Sequence, residues 1–99
     1  MKMNFEDFRK KIELKLSSIT EFELQEFHFL PYSFGSGLLA YRIKRQFHKF
    51  IFDGRESELT WLTSKQHHKY SENSFTEFKR FCELDISVEE LENGIKNSA

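Results

Sequence analysis

The feature that most constrains the fold is an alternation of apolar and polar residues over residues 37–63, interrupted by an Asp-Gly pair. Alternation with a period of two is typical of β-strands that have one covered face. Asp53-Gly54 between two such runs predicts a hairpin, because a type I′ turn needs positive φ at both central residues and Gly and Asp accept it. A two-residue turn here sets Phe52 opposite Arg55. The hairpin then forms part of a three-stranded antiparallel meander.

A second turn at Arg45-Gln46 completes the meander and sets Tyr41 opposite Phe50. Side chains alternate across a strand, so this arrangement gives the meander one apolar face and one mixed face. The apolar face collects Leu39, Tyr41, Ile43, His48, Phe50, Phe52, Leu59 and Trp61. The mixed face collects Leu38, Ala40, Arg42, Lys44, Phe47, Lys49, Ile51, Glu56, Glu58, Thr60 and Leu62.

The residues before the meander predict a helix followed by a strand. Over residues 4–19 the apolar residues recur in one stripe at helical spacing, and Asn4 is a suitable N-cap. Residues 20–30 read as a strand whose apolar positions change parity midway. Either a bulge lies near Gln25-Glu26 or both faces of this strand are partly buried. Pro31 ends the strand, since proline cannot donate to a ladder.

The residues after the meander predict a polar loop over 64–73 and two short helices. Each helix is indicated by a capping box, a serine followed three residues later by a glutamate: Ser74 with Glu77, and Ser87 with Glu90. The predicted fold is therefore α+β. It has an N-terminal helix, a four-stranded antiparallel sheet with the meander at 37–63, and two C-terminal helices packed on one face of the sheet.

Length and composition predict the number of domains, the residues of the core and the location of the protein. A chain of 99 residues supports one hydrophobic core, so residues 1–99 are predicted to form a single domain. The 12 Phe, 3 Tyr and 1 Trp residues supply much of that core. With a single cysteine, Cys82, and neither a long apolar run nor a signal-like N-terminus, we expect a cytoplasmic protein that does not enter a membrane.

The motifs of catalytic and metal-binding proteins do not occur in the sequence. The adjacent residues His67 and His68 lack the further ligands, at suitable spacing, that a zinc site needs. Cys82 lies on the apolar stripe of a predicted helix, which predicts a buried, unreactive thiol. There is neither a Gly-x-Ser-x-Gly elbow nor a glycine-rich phosphate loop. We therefore expect that the protein is not an enzyme and that it uses no metal or other cofactor.

The distribution of charge leaves two functions open. Residues 42–70 hold seven Lys and Arg against three Asp and Glu, whereas residues 71–99 hold three against seven. The basic segment is either neutralised by the acidic one within the fold or available to a partner. The leading hypothesis is a small inhibitor, immunity-type or adaptor protein that docks another protein through the mixed face and the 64–73 loop.

The alternative hypothesis is a nucleic-acid or ribonucleoprotein binder. In that case the basic residues contact phosphates, and Phe47 and Tyr70 are candidate stacking rings. A salt titration separates the two hypotheses, because phosphate-driven binding weakens steeply with salt. The residues predicted to contact a partner are Arg42, Lys44, Arg45, Phe47, Lys49, Ile51, Leu62, Lys65, His67, His68, Lys69 and Tyr70.

Overall fold

The computed structural model describes residues 4–32, 34–64, 69–71 and 74–97. Within these residues the elements follow in the order α1 (Phe5–Ser17), β1 (Phe22–Leu30), β2 (Ser36–Ile43), β3 (Gln46–Asp53), β4 (Glu58–Ser64), β5 (Phe75–Phe81) and α2 (Val88–Asn97). The strands form one antiparallel sheet in sequence order, so β1 and β5 are its edges. Neither α1 nor α2 is long and apolar enough to span a membrane.

The described residues form one small α+β domain, but the predicted fold is wrong in its count of strands and C-terminal helices. The sheet has five strands rather than four, and one helix rather than two follows it. The second capping box is confirmed, since the Glu90 backbone N–H donates to Ser87 Oγ at 3.1 Å at the start of α2. The first is not, because Ser74 Oγ hydrogen-bonds to Ser64 Oγ at 2.6 Å and the residues after it form β5.

A bulge in β5 explains why this strand has the apolar spacing of a helix. Glu77 and Lys79 pair with consecutive residues of β4, which leaves Phe78 as the extra residue. The Phe78 ring lies 5.1 Å from the ring of Trp61, and Phe81 packs against the core. Aromatic residues three apart therefore contact the same side of the sheet from a bulged strand. β5 also hydrogen-bonds to the backbone of β4, which would otherwise be an edge strand.

The prediction of the N-terminal helix is confirmed. Asn4 is its N-cap, and Asn4 Oδ1 accepts from the Asp7 backbone N–H at 2.8 Å. Its apolar stripe is buried against the sheet together with residues of α2. We call this side of the sheet the helix-covered face and the other side the open face. The eight meander residues predicted to share the apolar face are all buried on the helix-covered face: Leu39, Tyr41, Ile43, His48, Phe50, Phe52, Leu59 and Trp61.

The turn between β2 and β3 differs from the prediction. It lies at Lys44-Arg45 rather than Arg45-Gln46, and Lys44 takes a positive φ of 58°. Tyr41 consequently pairs with His48 rather than Phe50. The shift is an even number of residues, so each side chain stays on its predicted face.

The predicted type I′ turn at Asp53-Gly54 is also wrong. Four residues, 54–57, connect β3 to β4, and the positive φ belongs to Ser57 at 55° rather than to Gly54. The Asp53 side chain organises the loop, since its Oδ1 accepts from the backbone N–H of Arg55 at 3.0 Å and of Glu56 at 3.1 Å. This register is again shifted by an even number of residues, which preserves the faces.

Gly54 is required by a close contact rather than by its φ. Its backbone N–H donates to Ser36 Oγ at 3.0 Å, and a Cβ atom at this position would collide with the carbonyl oxygen of Phe34. We expect Gly54→Ala to lower the free energy of unfolding by about 1–2 kcal/mol, because a backbone carbonyl moves aside only if its loop moves. Chemical denaturation followed by the fluorescence of the single tryptophan, Trp61, measures the change.

Arg55→Ala is the matched control for Gly54→Ala. Arg55 is exposed in the same loop, so its replacement is expected to change stability by less than about 0.5 kcal/mol. Equal stabilities of Gly54→Ala and the wild-type protein would contradict the packing of the β1–β2 loop on the β3–β4 loop.

The bulge alternative for β1 is confirmed. The pairing with β2 passes directly from Leu24 to Glu26 and leaves Gln25 as the extra residue. The apolar residues on both sides of the bulge therefore share the helix-covered face: Phe22, Leu24, Phe27 and Phe29.

His48 is a polar residue inside the core. Its Nδ1 accepts from Trp61 Nε1 at 3.0 Å, so the neutral ring carries its proton on Nε2. Nε2 is buried and finds no hydrogen-bond partner among the residues that the structure describes. Burial lowers the pKa of His48 to about 4.

Candidate protein-interaction surface

A buried ion pair lies on one half of the open face. Lys49 Nζ lies 3.4 Å from Glu26 Oε1, and both side chains are almost completely buried. The Lys49 ammonium also lies 4.5 Å from the centre of the Phe75 ring. These contacts join β1, β3 and β5 across the open face, so the Lys49 ammonium has its partners within the chain.

Tyr70, in the connection between β4 and β5, packs over this ion pair. Its ring lies 5.3 Å from Phe47 and 5.7 Å from Phe75, and its hydroxyl donates to Glu26. Burial raises the pKa of Glu26, but the hydrogen bond from Tyr70 and the charge of Lys49 outweigh that effect and lower it overall. This half of the open face is therefore a closed polar and aromatic cluster.

The structure separates the residues that were predicted to contact a partner. Phe47, Lys49 and Tyr70 belong to the closed cluster, and the Arg42 guanidinium lies 5.3 Å from the centre of the Phe47 ring. The remaining residues divide by exposure: Lys44, Arg45, Ile51 and Lys69 are exposed, and Leu62 is half-buried. Lys65, His67 and His68 lie outside the described residues. Of the described basic residues in this set, Lys44, Arg45 and Lys69 are exposed, whereas Lys49 is paired with Glu26 within the fold.

The other half of the open face is an apolar hollow of about 350 Å³. It lies between the loop after β1 and the end of β3, and we call it the aromatic hollow. The Tyr32 side chain beside it is fully exposed, and 68% of Phe34 is exposed. The Arg55 guanidinium stands at its rim, 5.4 Å from the centre of the Phe34 ring. The large apolar residues that line the hollow are Leu30, Tyr32, Phe34, Leu38, Ile51 and Phe52.

The loop that carries the two aromatic residues is held in place by its backbone. Phe34 has a φ of 59° and Gly35 a φ of 74°. The Phe34 carbonyl lies against Gly54, and Ser36 Oγ accepts from the Gly54 N–H. For a bulky residue such as Phe, positive φ is uncommon and costs about 1–2 kcal/mol.

The mixed face that the sequence predicted to dock a partner contains two residues of the aromatic hollow, Leu38 and Ile51. Tyr32 and Phe34 were missed because the stretch between Pro31 and the following glycines was interpreted as a connecting loop, and Leu30 was assigned only to the preceding strand. The available signal was the presence of two aromatic residues in a short loop, where small polar residues are the usual choice.

The structure also corrects the interpretation of Cys82. The residue follows β5 and is exposed, so it is not the buried thiol that the helical stripe predicted. Across the described parts of the chain, His, Cys, Asp and Glu side chains do not gather in groups of three or more that could hold a metal ion.

Comparison with known proteins adds no functional information. No family model, curated protein or solved structure matches this chain. The chemistry of the surface is therefore the only guide to function.

Proposed function

We propose that the protein is a non-catalytic binding domain that docks a protein partner at the aromatic hollow. It would act as an inhibitor, an immunity-type protein or an adaptor, by occupying a surface of its partner. The proposal includes a cytoplasmic location, which is supported by a lone, exposed cysteine that has no cysteine partner within the chain.

The observation that carries the proposal is the conformation of Phe34. Its backbone occupies a costly region of φ, yet its ring remains mostly exposed and gains little from burial. Strained residues persist where the surrounding structure holds them, and they concentrate at functional sites. Tyr32, which is fully exposed on the same loop, adds a second aromatic side chain that contributes nothing to the core.

The shape of the aromatic hollow favours a protein over a small molecule. A small-molecule site buries most of its ligand inside a cavity. Here the aromatic side chains stand outward around a shallow depression. Exposed tyrosine and arginine beside an apolar depression are typical of the residues that dominate protein interfaces.

Charge at the rim indicates the chemistry of the partner. Arg55 is well exposed, and its nearest carboxylate, that of Glu56, is 3.9 Å away and also exposed. Such a contact contributes little. A partner that inserts an apolar side chain and places a carboxylate near Arg55 would therefore complement this end of the sheet.

Replacement of Phe34 tests whether its ring stabilises the fold or only serves binding. We expect Phe34→Asn to leave the free energy of unfolding unchanged or to raise it by about 1 kcal/mol, because Asn tolerates positive φ better than Phe. Equilibrium denaturation measures this change. A fall of more than about 1 kcal/mol would instead mark the ring as a packing residue.

Site-specific photo-crosslinking tests the proposal in living cells. A photoreactive phenylalanine analogue replaces Tyr32 in one variant and Glu89, an exposed residue of α2, in the control. The expected result is a discrete protein adduct from position 32 and none from position 89. No adduct from position 32, or the same adducts from both positions, would contradict docking at the hollow.

A further inference from the structure

β1 is an edge strand of the sheet with exposed apolar side chains. Within the described residues it pairs with β2 alone, so its other side presents backbone donors and acceptors. On the helix-covered face, Phe27 is 43% exposed, Phe29 is 49% exposed, and Leu24 is exposed as well. Both edge strands carry charged residues, but these exposed apolar residues of β1 lie together on one face.

The bulge at Gln25 makes the apolar side of β1 complementary to itself. Two antiparallel copies of β1, related by a two-fold axis at the bulge, set Phe22 opposite Phe29 and Leu24 opposite Phe27. All four side chains lie on the helix-covered face because the bulge shifts the parity midway along the strand. An unbulged strand would place its two apolar halves on opposite faces.

In the same register, the open-face side of β1 sets a carboxylate opposite an imidazole. Glu26 falls at the two-fold axis, where its carboxylate is already held by Lys49 and Tyr70 of its own chain. Glu23 pairs with Arg42 and His28 with Leu38 within the chain, so both point to the open face. Across the two-fold axis Glu23 stands directly opposite His28, and symmetry makes this pair occur twice. The net charge of −1 per chain opposes association only weakly.

We propose that the protein forms a symmetric dimer in which two β1 strands pair antiparallel about the Gln25 bulge. The occupant of the edge is a second copy of the chain. Pairing joins two five-stranded sheets into one, satisfies the backbone groups of both edges and covers Phe27 and Phe29. The dimer does not depend on the aromatic hollow, and it presents two such hollows on one open face.

Variants that change the charge at Glu23 and at His28 test the register of the proposed β1–β1 pairing. Glu23→Lys places a lysine opposite His28, and His28→Glu places two carboxylates opposite each other. Each variant alone is expected to weaken dimerisation by about tenfold or more in analytical ultracentrifugation. Mixed in equal amounts, the two variants are expected to form a heterodimer about as tight as the wild-type dimer. In the mixture, the lysine introduced in one chain faces the glutamate introduced in the other.

Two controls test whether a loss of dimerisation comes from the β1 pairing. The first excludes unfolding of the variants, and the second excludes pairing through β5. His28 Nε2 also lies 2.9 Å from Glu26 Oε2 in its own chain, so Trp61 fluorescence verifies that each variant is folded. Glu77→Lys changes a charge on β5 and is expected to leave the dimer intact. The proposal is overturned by a wild-type chain that stays monomeric to millimolar concentration. It is equally overturned by a dimer that resists both single exchanges, by mixed variants that fail to associate, or by a dimer that Glu77→Lys dissociates.

Discussion

Gly94→Ala is expected to lower the free energy of unfolding by about 2–3 kcal/mol, the opposite sign to the change predicted from helix propensity. In an exposed helix, replacement of Gly by Ala gains about 1 kcal/mol. Gly94, however, lies where α2 meets the indole of Trp61, and a Cβ there would collide with Cη2 and lie 2.5 Å from Cζ3. The indole is completely buried between Phe50 and Phe78, so it has no space into which to move.

Asn93→Ala is the matched control, because Asn93 precedes Gly94 in α2 and is exposed. We expect it to leave stability unchanged or to raise it by about 0.5 kcal/mol. Urea denaturation followed by Trp61 fluorescence compares the two variants. If Gly94→Ala proved as stable as Asn93→Ala, the close packing of α2 on Trp61 would be wrong.

Acidification is expected to destabilise the protein through His48 by about 3 kcal/mol between pH 7 and pH 4. Burial lowers the pKa of His48 to about 4 in the folded protein, whereas the unfolded chain titrates near 6.5. The unfolded state therefore binds the proton first as the pH falls. The loss of stability begins near pH 6.5, deepens until pH 4, and is absent above pH 7.

His48→Gln isolates this contribution from that of the carboxylates. The amide oxygen of Gln can still accept from Trp61 Nε1, but the side chain does not titrate. The stability of the wild-type protein relative to His48→Gln is expected to fall by about 3 kcal/mol between pH 7 and pH 4. Parallel stability curves for the wild-type protein and His48→Gln would contradict a neutral, buried His48.

The sequence predicted which side chains are buried better than it predicted which residues pair. Both turns of the meander were misplaced, at Arg45-Gln46 and at Asp53-Gly54, yet the apolar face came out correctly. The reason is physical. Burial constrains only the parity of each strand, and both errors were even shifts. Register depends on the geometry of the turns. The hydrogen bonds of the Asp53 side chain to the loop and the positive φ of Lys44 set that geometry, and no distinctive sequence pattern predicts either.

β5 was missed because local and tertiary signals conflict at residues 75–81. Ser74 and Glu77 form a valid capping-box pattern, and the phenylalanines have helical spacing. In the folded protein Ser74 instead contacts Ser64, and the bulge at Phe78 reproduces the helical spacing in a strand. The unpaired edge of β4 decides the outcome, and that edge exists only once the sheet has formed.

The candidate site was predicted least well, for a related reason. A charged or aromatic residue on the mixed face can be exposed or internal, and only the crossing of Tyr70 over Phe47 and Lys49 decides which. Conversely, the aromatic hollow depends on the backbone of Phe34, which has a positive φ and contacts Gly54 in a distant part of the sequence.

Quantitative affinity capture from a lysate of the host organism tests docking at the aromatic hollow most directly. Three baits are compared with and without nuclease: the wild-type protein, a Tyr32→Ser, Phe34→Asn double variant, and a Lys44→Ser, Arg45→Ser double variant. The two variants replace exposed residues at opposite ends of the sheet, so each serves as the matched control for the other.

We expect one protein to be captured at near-equal stoichiometry by the wild-type bait and by the Lys44→Ser, Arg45→Ser bait, with or without nuclease. The Tyr32→Ser, Phe34→Asn bait should lose it, because the aromatic contacts of the hollow are gone. A partner that remains bound to the aromatic variant would contradict docking at the hollow. A partner that disappears both with nuclease and with the Lys44→Ser, Arg45→Ser bait would show nucleic-acid binding through the basic turn instead. A nuclease-resistant partner that only this bait loses would contradict docking at the hollow as well.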